Sequence, residues 1–182
     1  LAMLSDVMDR GTQEFENYNY ARALELAESF FWTFTDDYVE LVKERAYGGQ
    51  GEQAGASAKA ALSLALSVQL RLFAPFLPFT TEEVWSWVND SSIHRASWPQ
   101  VEEFSALPEG DPGVLEATGQ ALSGVRKVKS EQKVSMRARV SSATISGPGA
   151  DIERIRQAME DLAAAGNIEG MNVTDGSKTL QV

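Results

Sequence analysis

The sequence contains no cysteine and only one histidine, His94, and these scarcities exclude several kinds of site. Without cysteine the chain forms neither disulfide bonds nor thiolate metal sites, and a single histidine argues against a histidine-based metal centre. The chain also lacks a Gly-rich phosphate loop of the Walker type, a G-x-S-x-G elbow and a His-rich metal motif. We therefore expect no catalytic residue, no metal site and no bound cofactor in this chain.

Long hydrophobic runs and basic residues are scarce as well. No stretch without a charged residue exceeds 11 residues, which is too short for a helix to cross a membrane. Basic side chains number 16 against 26 acidic ones, and the net charge of -10 argues against DNA or an anionic membrane as a partner of the whole surface. A chain without cysteine is compatible with a reducing compartment, and we expect a cytoplasmic location.

The composition is that of a globular protein, with 43% hydrophobic residues among 182. In the first part, apolar residues recur at steps of three and four in four segments, which predicts four antiparallel helices with short connections. The segments are residues 4–15, residues 19–41 with an N-cap at Asn19, residues 58–73, and residues 80–88 with a capping box at Thr80 and Glu83. Residues 48–58 are predicted to be a flexible loop, and Trp98 is predicted to anchor the segment after the fourth helix on the bundle.

The second part of the chain mixes a helix with alternating strand patterns. Asp111 and Pro112 are typical of the N-cap and first residue of a fifth helix, whose predicted apolar face includes Val125 and Val128. Strands are predicted at residues 134–140, 168–174 and 179–182, the last two joined by a hairpin turn, and a short helix at 152–162 stops at Gly166-Asn167. The predicted fold is mainly α: an antiparallel helical bundle, residues 1–108, followed by a connecting helix and a small α+β module, residues 109–182.

One segment departs from the acidic character of the chain. Six of the 16 basic residues fall within 14 positions that contain one acidic residue, and they are Arg126, Lys127, Lys129, Lys133, Arg137 and Arg139. Cations concentrated at a helix end and the following strand suit a phosphate backbone, because neutralising phosphates releases condensed counterions. A solvated face that also stabilises a helix C-terminus explains the composition equally well.

Aromatic residues cluster in the second predicted helix and have two interpretations of their own. The predicted apolar face consists of Tyr20, Leu24, Ala27, Phe31, Phe34, Tyr38 and Leu41. Phe30 and Trp32 fall off that face, so they are candidates for stacking on nucleobases or on a neighbouring domain, although packing within the core is the simpler explanation. Of the two, Trp32 is our candidate for RNA contact.

Several motifs resemble those of one enzyme family. The segment LFAPFLPFTTEEVW (72–85) resembles the helical corner shared by the anticodon-binding domains of class I aminoacyl-tRNA synthetases for valine, isoleucine, leucine and methionine. Other segments are closer to the valine-specific members of that group. They are NYARALE (19–25), FFWTFTDDYVELVKERAY (30–47), IHRASWP (93–99) and GVRKVKSEQKVSMR (124–137).

The resemblance implies a function as well as a fold. It implies that the bundle is of the anticodon-binding type and that the chain is the C-terminal, tRNA-binding part of an enzyme that ligates valine to tRNA with ATP and Mg2+. It also implies that the ATP and Mg2+ sites lie in a catalytic domain elsewhere in that enzyme. The expected partners are valine tRNA and that catalytic domain, with no DNA and no membrane, and we expect a monomer. The alternative is a structural module that braces the catalytic domain and has no RNA affinity of its own.

Overall fold

The computed structural model describes residues 1–105, 107 and 110–182 and groups them into two compact units. The first unit comprises residues 1–34 and 59–110, and the second comprises residues 35–58 and 111–182. The second unit therefore combines 24 residues from the first half of the chain, residues 35–58, with the C-terminal segment. The predicted domain boundary between residues 108 and 109 lies outside the described residues and stays a prediction.

Helices cover most of the chain, as the apolar periodicity predicts. They are α1 (Ala2–Glu16), α2 (Tyr20–Thr33), α3 (Val39–Ala46), α4 (Glu52–Phe73), α5 (Pro78–Ser86), α6 (Pro112–Glu131), α7 (Gly149–Gln157) and α8 (Met159–Gly166). Two strands, β1 (Val140–Gly147) and β2 (Ile168–Asp175), pair in parallel. The predicted fold class, a helical bundle with a small α+β module, is confirmed.

The core of the first unit forms where α1, α2 and α4 bring their apolar faces together. Its buried members are Leu4, Met8, Ala27, Phe30, Ala65, Val68 and Leu72. Trp98 packs against this core, its ring edge-on to that of Phe15 with 5.0 Å between centroids, and its indole Nε1 donates to Thr12 Oγ1 at 2.9 Å. Because the indole has found both an apolar surface and a hydrogen-bond acceptor, Trp98 anchors the segment after α5 as predicted.

The second predicted helix contains a π-helical turn at Phe34–Tyr38 that the periodicity did not reveal. The buried face of α2 runs through Ala23, Leu26, Ala27 and Phe30, so the predicted face was wrong in phase and Phe30 belongs to the core. A π turn has more residues per turn than an α-helix, so it shifts the phase of the apolar residues that follow it in the sequence. A single period fitted across residues 20–41 therefore mixes two faces, one for α2 and another for α3.

Two helix starts also differ from the predictions. α4 begins at Glu52, inside the predicted loop 48–58, because only Gly48 and Gly51 adopt positive φ, at 96° and 92°, and the residues after them continue as helix. α5 begins at Pro78 and not at a Thr80 cap, since a proline at the first helical position has a preset φ and lacks an N–H that would be unsatisfied there. In both cases local backbone chemistry moves the start of the helix toward the N-terminus.

The second unit is built around α6, whose predicted start is confirmed. Asp111 is the N-cap, its carboxylate accepting from Gly113 N at 2.8 Å, and Pro112 is the first helical residue. α6 packs on α7 and α8, and α3 packs on α8. Val125 of α6 also lies against Ala143 of β1 and Ile168 of β2, so the helix and the sheet share one buried cluster.

Three predictions for the C-terminal module need correction. The strand predicted at residues 134–140 is wrong for all but its last residue: Val134 and Met136 are exposed, and β1 begins at Val140. The predicted helix at 152–162 is interrupted at Ala158, whose φ and ψ of -123° and 23° are not helical. The predicted hairpin is absent from the described residues, because Gln181 forms an isolated antiparallel bridge with Ser146 of β1 instead of pairing with β2.

One ion pair ties α4 to the 3-10 turn at Val101–Phe104 in the first unit. Both carboxylate oxygens of Glu103 accept from the Arg71 guanidinium, at 2.9 and 2.6 Å, and Glu103 Oε1 also accepts from Gln100 N. The hydrogen bond from Arg71 holds the pKa of the Glu103 carboxyl below its usual value. A carboxyl with a lowered folded-state pKa contributes stability that is present above its unfolded pKa and is lost as the pH falls through the folded pKa.

Glu103→Gln is therefore expected to lower the free energy of unfolding by about 1–2 kcal/mol near neutral pH, and the difference should close as the pH falls below about 4. Urea unfolding followed by tryptophan fluorescence at both ends of this pH range measures it. Asp6→Asn, which removes an exposed i,i+4 pair with Arg10, is the control and should have little effect at either pH. A Glu103→Gln deficit that persists unchanged in acid would contradict the assignment.

Candidate nucleic-acid interface

The basic segment lies on the last turns of α6 and on residues 132–139, which we call the basic turn. α6 ends in a Schellman motif, in which Lys133 N donates to Ser130 O and Val134 N donates to Lys129 O, at 2.9 and 3.0 Å. Lys133 occupies the left-handed position of this motif, with φ 54°, where glycine is usual. A further turn follows, closed by Ala138 N and Ser135 O at 2.9 Å, and places Arg137 on the surface.

Three cations of the segment are exposed and available to a ligand. Lys127, Lys133 and Arg137 are all exposed, and none of them forms an ion pair within the described part of the chain. Lys127 lies on α6, and the other two lie on the basic turn. These three residues have the placement that phosphate contacts require: a charged group in water with no carboxylate to displace.

Two other cations already have partners. Arg126 Nη1 donates to the carbonyl of Asp36 at 3.3 Å, and its Nη2 lies 3.7 Å from a carboxylate oxygen of Glu40. Arg139 forms an ion pair with Glu169 of β2. Both pairs are partly or largely exposed, so a phosphate can compete with these carboxylates, at the expense of an existing contact. Arg126 and Arg139 remain candidates, secondary to the three exposed cations.

Lys129 is not on the surface with the other five. Its residue exposure is 4%, and its Nζ donates to Met136 O at 2.9 Å and to Gly166 O at 2.8 Å. The adjacent Val128, predicted to lie on the apolar face, is 43% exposed instead. The ammonium of Lys129 is thus committed to two backbone carbonyls, a role that apolar periodicity could not reveal.

Trp32, the aromatic candidate, lies on α2 in the first unit with 55% of its surface exposed. Its ring meets that of Phe31 edge-on at 5.3 Å, and Phe31 in turn packs on Phe73. An exposed aromatic ring held by a neighbouring ring can serve as a platform on which a nucleobase stacks.

Asn167 belongs to the basic surface too, although the sequence pattern did not indicate it. Its side-chain Nδ2 donates to Arg137 O at 2.8 Å, and its own carbonyl accepts from Val140 N at 2.8 Å. Asn167 takes the left-handed conformation, φ 52°, at the end of α8. The Gly166-Asn167 pair predicted the helix end, but no local signal indicated that the amide reaches the basic turn, since that contact spans 30 residues.

The described residues contain no group of three or more His, Asp or Glu side chains placed to hold a metal ion. In the same part of the chain no helix is both long and apolar enough to cross a membrane. The candidate binding residues are the basic residues of the second unit and Trp32 of the first.

The structure thus has a helical bundle and a small α+β module, and the basic surface lies in the second unit. A family model described as "Anticodon-binding domain of tRNA ligase" matches residues 1–144, which include α6 and the basic turn. The chain belongs to this family of tRNA-ligase anticodon-binding domains, as the motifs of the sequence indicate.

Similar proteins include several valine–tRNA ligases. The chain is 56% identical to that of Thermobifida fusca over 169 residues, 92% of this chain and 19% of the relative. It is 47% identical to that of Cutibacterium acnes over 182 residues, 99% of this chain and 21% of the relative, and 47% identical to that of Leifsonia xyli over 177 residues, 97% and 20%. The chain thus spans about a fifth of the length of the relatives it matches.

Proposed function

We propose that this chain binds the anticodon arm of valine tRNA and that Lys127, Lys133 and Arg137 contact its phosphates. The observation that carries the proposal is the exposure of these three cations on a segment within the residues matched by the anticodon-binding family model. Arg126 and Arg139 are candidates for further phosphate contacts, and Trp32 is a candidate for stacking on a base of the loop. The acidic remainder of the chain would limit nonspecific RNA binding.

The backbone of Lys133 supports this proposal. A residue with a side chain costs about 1 kcal/mol or more in the left-handed conformation, and glycine would avoid that cost at the end of α6. Lys133 therefore supplies a charge at a position where the backbone conformation favours glycine. Strain of this kind is typical of functional positions.

The wider protein is the second part of the proposal. Because the relatives are valine–tRNA ligases several times longer than this chain, we propose that it serves an enzyme that ligates valine to tRNA with ATP and Mg2+. The catalytic domain of that enzyme would be the chain's second partner, in a cytoplasmic monomer. We assign no ATP or Mg2+ contact to the described residues.

A structural module that braces the catalytic domain, without RNA affinity of its own, is the second candidate function. The observation that favours it lies on α5 and its flanks, where Leu77, Phe79, Trp87 and Val88 are all exposed. Exposed apolar residues grouped in this way are typical of protein contacts. This function and RNA binding make opposite predictions for the isolated chain.

The deciding experiment titrates the chain with valine tRNA and with the same tRNA carrying a changed anticodon, by fluorescence anisotropy. We expect tighter binding of the correct anticodon and, for about three phosphate contacts, an affinity about 20- to 40-fold weaker at 200 mM than at 50 mM salt. Equal but salt-sensitive affinities would overturn anticodon reading and retain the phosphate contacts. Absence of binding to either tRNA would overturn RNA binding and favour the bracing module.

A further inference from the structure

The side chain of Lys129 joins three segments of the second unit. It leaves the last turn of α6, and its ammonium bonds the carbonyl of Met136 in the basic turn and the carbonyl of Gly166 at the end of α8. Gly166 is the last residue of α8, so its carbonyl has no partner within the helix, and the negative end of the helix dipole lies there. The contact with α8 therefore suits a cation in particular.

Burial of this ammonium is costly, which makes its position informative. Lys127 and Ser130, close to it on α6, are exposed. Lys129 instead lies on the face of α6 that packs against α8. Desolvation lowers the pKa of Lys129, as expected for an ammonium taken out of water. Two backbone carbonyls offset that cost, and both belong to segments that would otherwise be joined to α6 less firmly.

Polar contacts, and not apolar burial, hold the basic turn in place. Val134 and Met136, its two large apolar side chains, are exposed, so hydrophobic burial does not fix its conformation. The polar contacts are those of Lys129 Nζ with Met136 O and of Asn167 Nδ2 with Arg137 O, besides the exposed ion pair of Arg139 with Glu169. The first two involve the end of α8, at Gly166 and Asn167, and they hold the peptide groups on both sides of Arg137.

We propose that Lys129 is a positioning residue for RNA binding: it touches no phosphate itself, and it fixes the basic turn so that Lys133 and Arg137 meet adjacent phosphates together. This inference rests on the proposed function, because positioning matters only if the turn binds RNA. It also reassigns Lys129 from a surface contact to a support of that contact.

A double-mutant cycle tests this role on the full chain, with valine tRNA as the probe. Lys129→Met removes the ammonium and retains a long side chain, and Lys133→Gln with Arg137→Gln removes the charges that it is proposed to position. We expect Lys129→Met to weaken binding about 5- to 25-fold at 0.15 M salt and to reduce the slope of log K against log salt by about 0.9–1.8. In the background of the two Gln substitutions, the same change should cost less than about twofold.

Lys127→Gln is the matched control, because Lys127 is a cation of the same helix that does not depend on the turn. In the combined variant Lys127→Gln and Lys129→Met, the two fold-losses of affinity should multiply, as expected for independent sites. The inference would be overturned if Lys129→Met bound tRNA with the wild-type salt slope. It would also be overturned if the loss of affinity from Lys129→Met were the same with and without Lys133→Gln and Arg137→Gln.

Hydrogen exchange separates this inference from the proposed function. In Lys129→Met the amide of Ala138, bonded within the turn, should exchange faster, while the amide of Ile145, in the core of β1, should keep its wild-type rate. Asn167→Gly is a second, milder variant that keeps the left-handed backbone and removes only the tie to Arg137 O. If Ala138 exchanges faster in Lys129→Met but the wild-type chain binds no tRNA, the turn is supported as proposed and the proposed RNA function fails. Unchanged exchange at Ala138 in both variants would overturn the support itself.

Discussion

Replacing Lys127, Lys133 and Arg137 together by glutamine should lower the affinity for valine tRNA about 100-fold at 0.15 M salt. Each cation that neutralises a duplex phosphate contributes about 0.9 to the slope of log K against log salt, which amounts to about fivefold in affinity at this salt concentration. The three cations are exposed and have no carboxylate partner in the described part of the chain, so their removal breaks no internal ion pair. Anisotropy titrations over a range of salt concentrations measure both the loss and the flattened slope.

The matched control is a second triple variant, in which Arg10, Arg22 and Arg156 become glutamine. Each of these arginines is exposed and paired with an acid on its own helix, and the net charge of the chain changes by the same three units. If both triple variants lose affinity equally, the overall charge and not the basic surface governs binding. Lys133→Gly adds a finer test, because glycine suits the left-handed backbone and should maintain or raise stability while binding falls about fivefold.

The fold could be predicted from the sequence where local chemistry and tertiary packing agree. Asp111 and Pro112 start α6 as predicted, because an acceptor side chain and a preset φ act within one turn of the chain. The apolar pattern of α2 and α3 could not be predicted from one period, since the π turn at Phe34–Tyr38 has more residues per turn than an α-helix and shifts the pattern that follows it. Residues 134–140 alternate in the manner of a strand, yet residues 134–139 pair with no strand in the described structure, and pairing with β2 starts only at Val140.

The candidate surface was predictable as a segment but not residue by residue. Charge density identified residues 126–139, and three of the six cations are exposed and unpaired within the described residues. Helical periodicity predicts that Val128 is buried, whereas the structure exposes Val128 and buries Lys129. The reason lies 37 residues away, in the carbonyl of Gly166, which needs a donor at the end of α8. Long-range polar contacts of this kind leave no periodic trace in a sequence.

Asp161→Asn should lower the stability of the second unit, because it breaks a largely buried ion pair. Asp161 is 8% exposed and accepts from Gln50 Nε2 while forming an ion pair with Arg45, both at 2.9 Å, so its two oxygens tie α8 to α3 and to the loop after α3. Asparagine preserves the shape but directs an amide without charge at the guanidinium. Arg45 Nε is already buried and has no hydrogen-bond partner among the described residues, so the loss leaves a poorly compensated cation.

We expect Asp161→Asn to lower the free energy of unfolding by about 2–3 kcal/mol, somewhat below the range for fully buried pairs because the Arg45 side chain is 26% exposed. Urea unfolding should be followed by far-UV circular dichroism, since all four tryptophans lie in the first unit, whereas circular dichroism also records the helices of the second. Glu153→Gln is the control: it removes an ion pair with Arg156 in which both side chains are exposed, and it should cost less than about 0.5 kcal/mol. Equal costs for the two substitutions would mean that Asp161 acts as an ordinary surface charge and that α3 and α8 are held together by apolar packing alone.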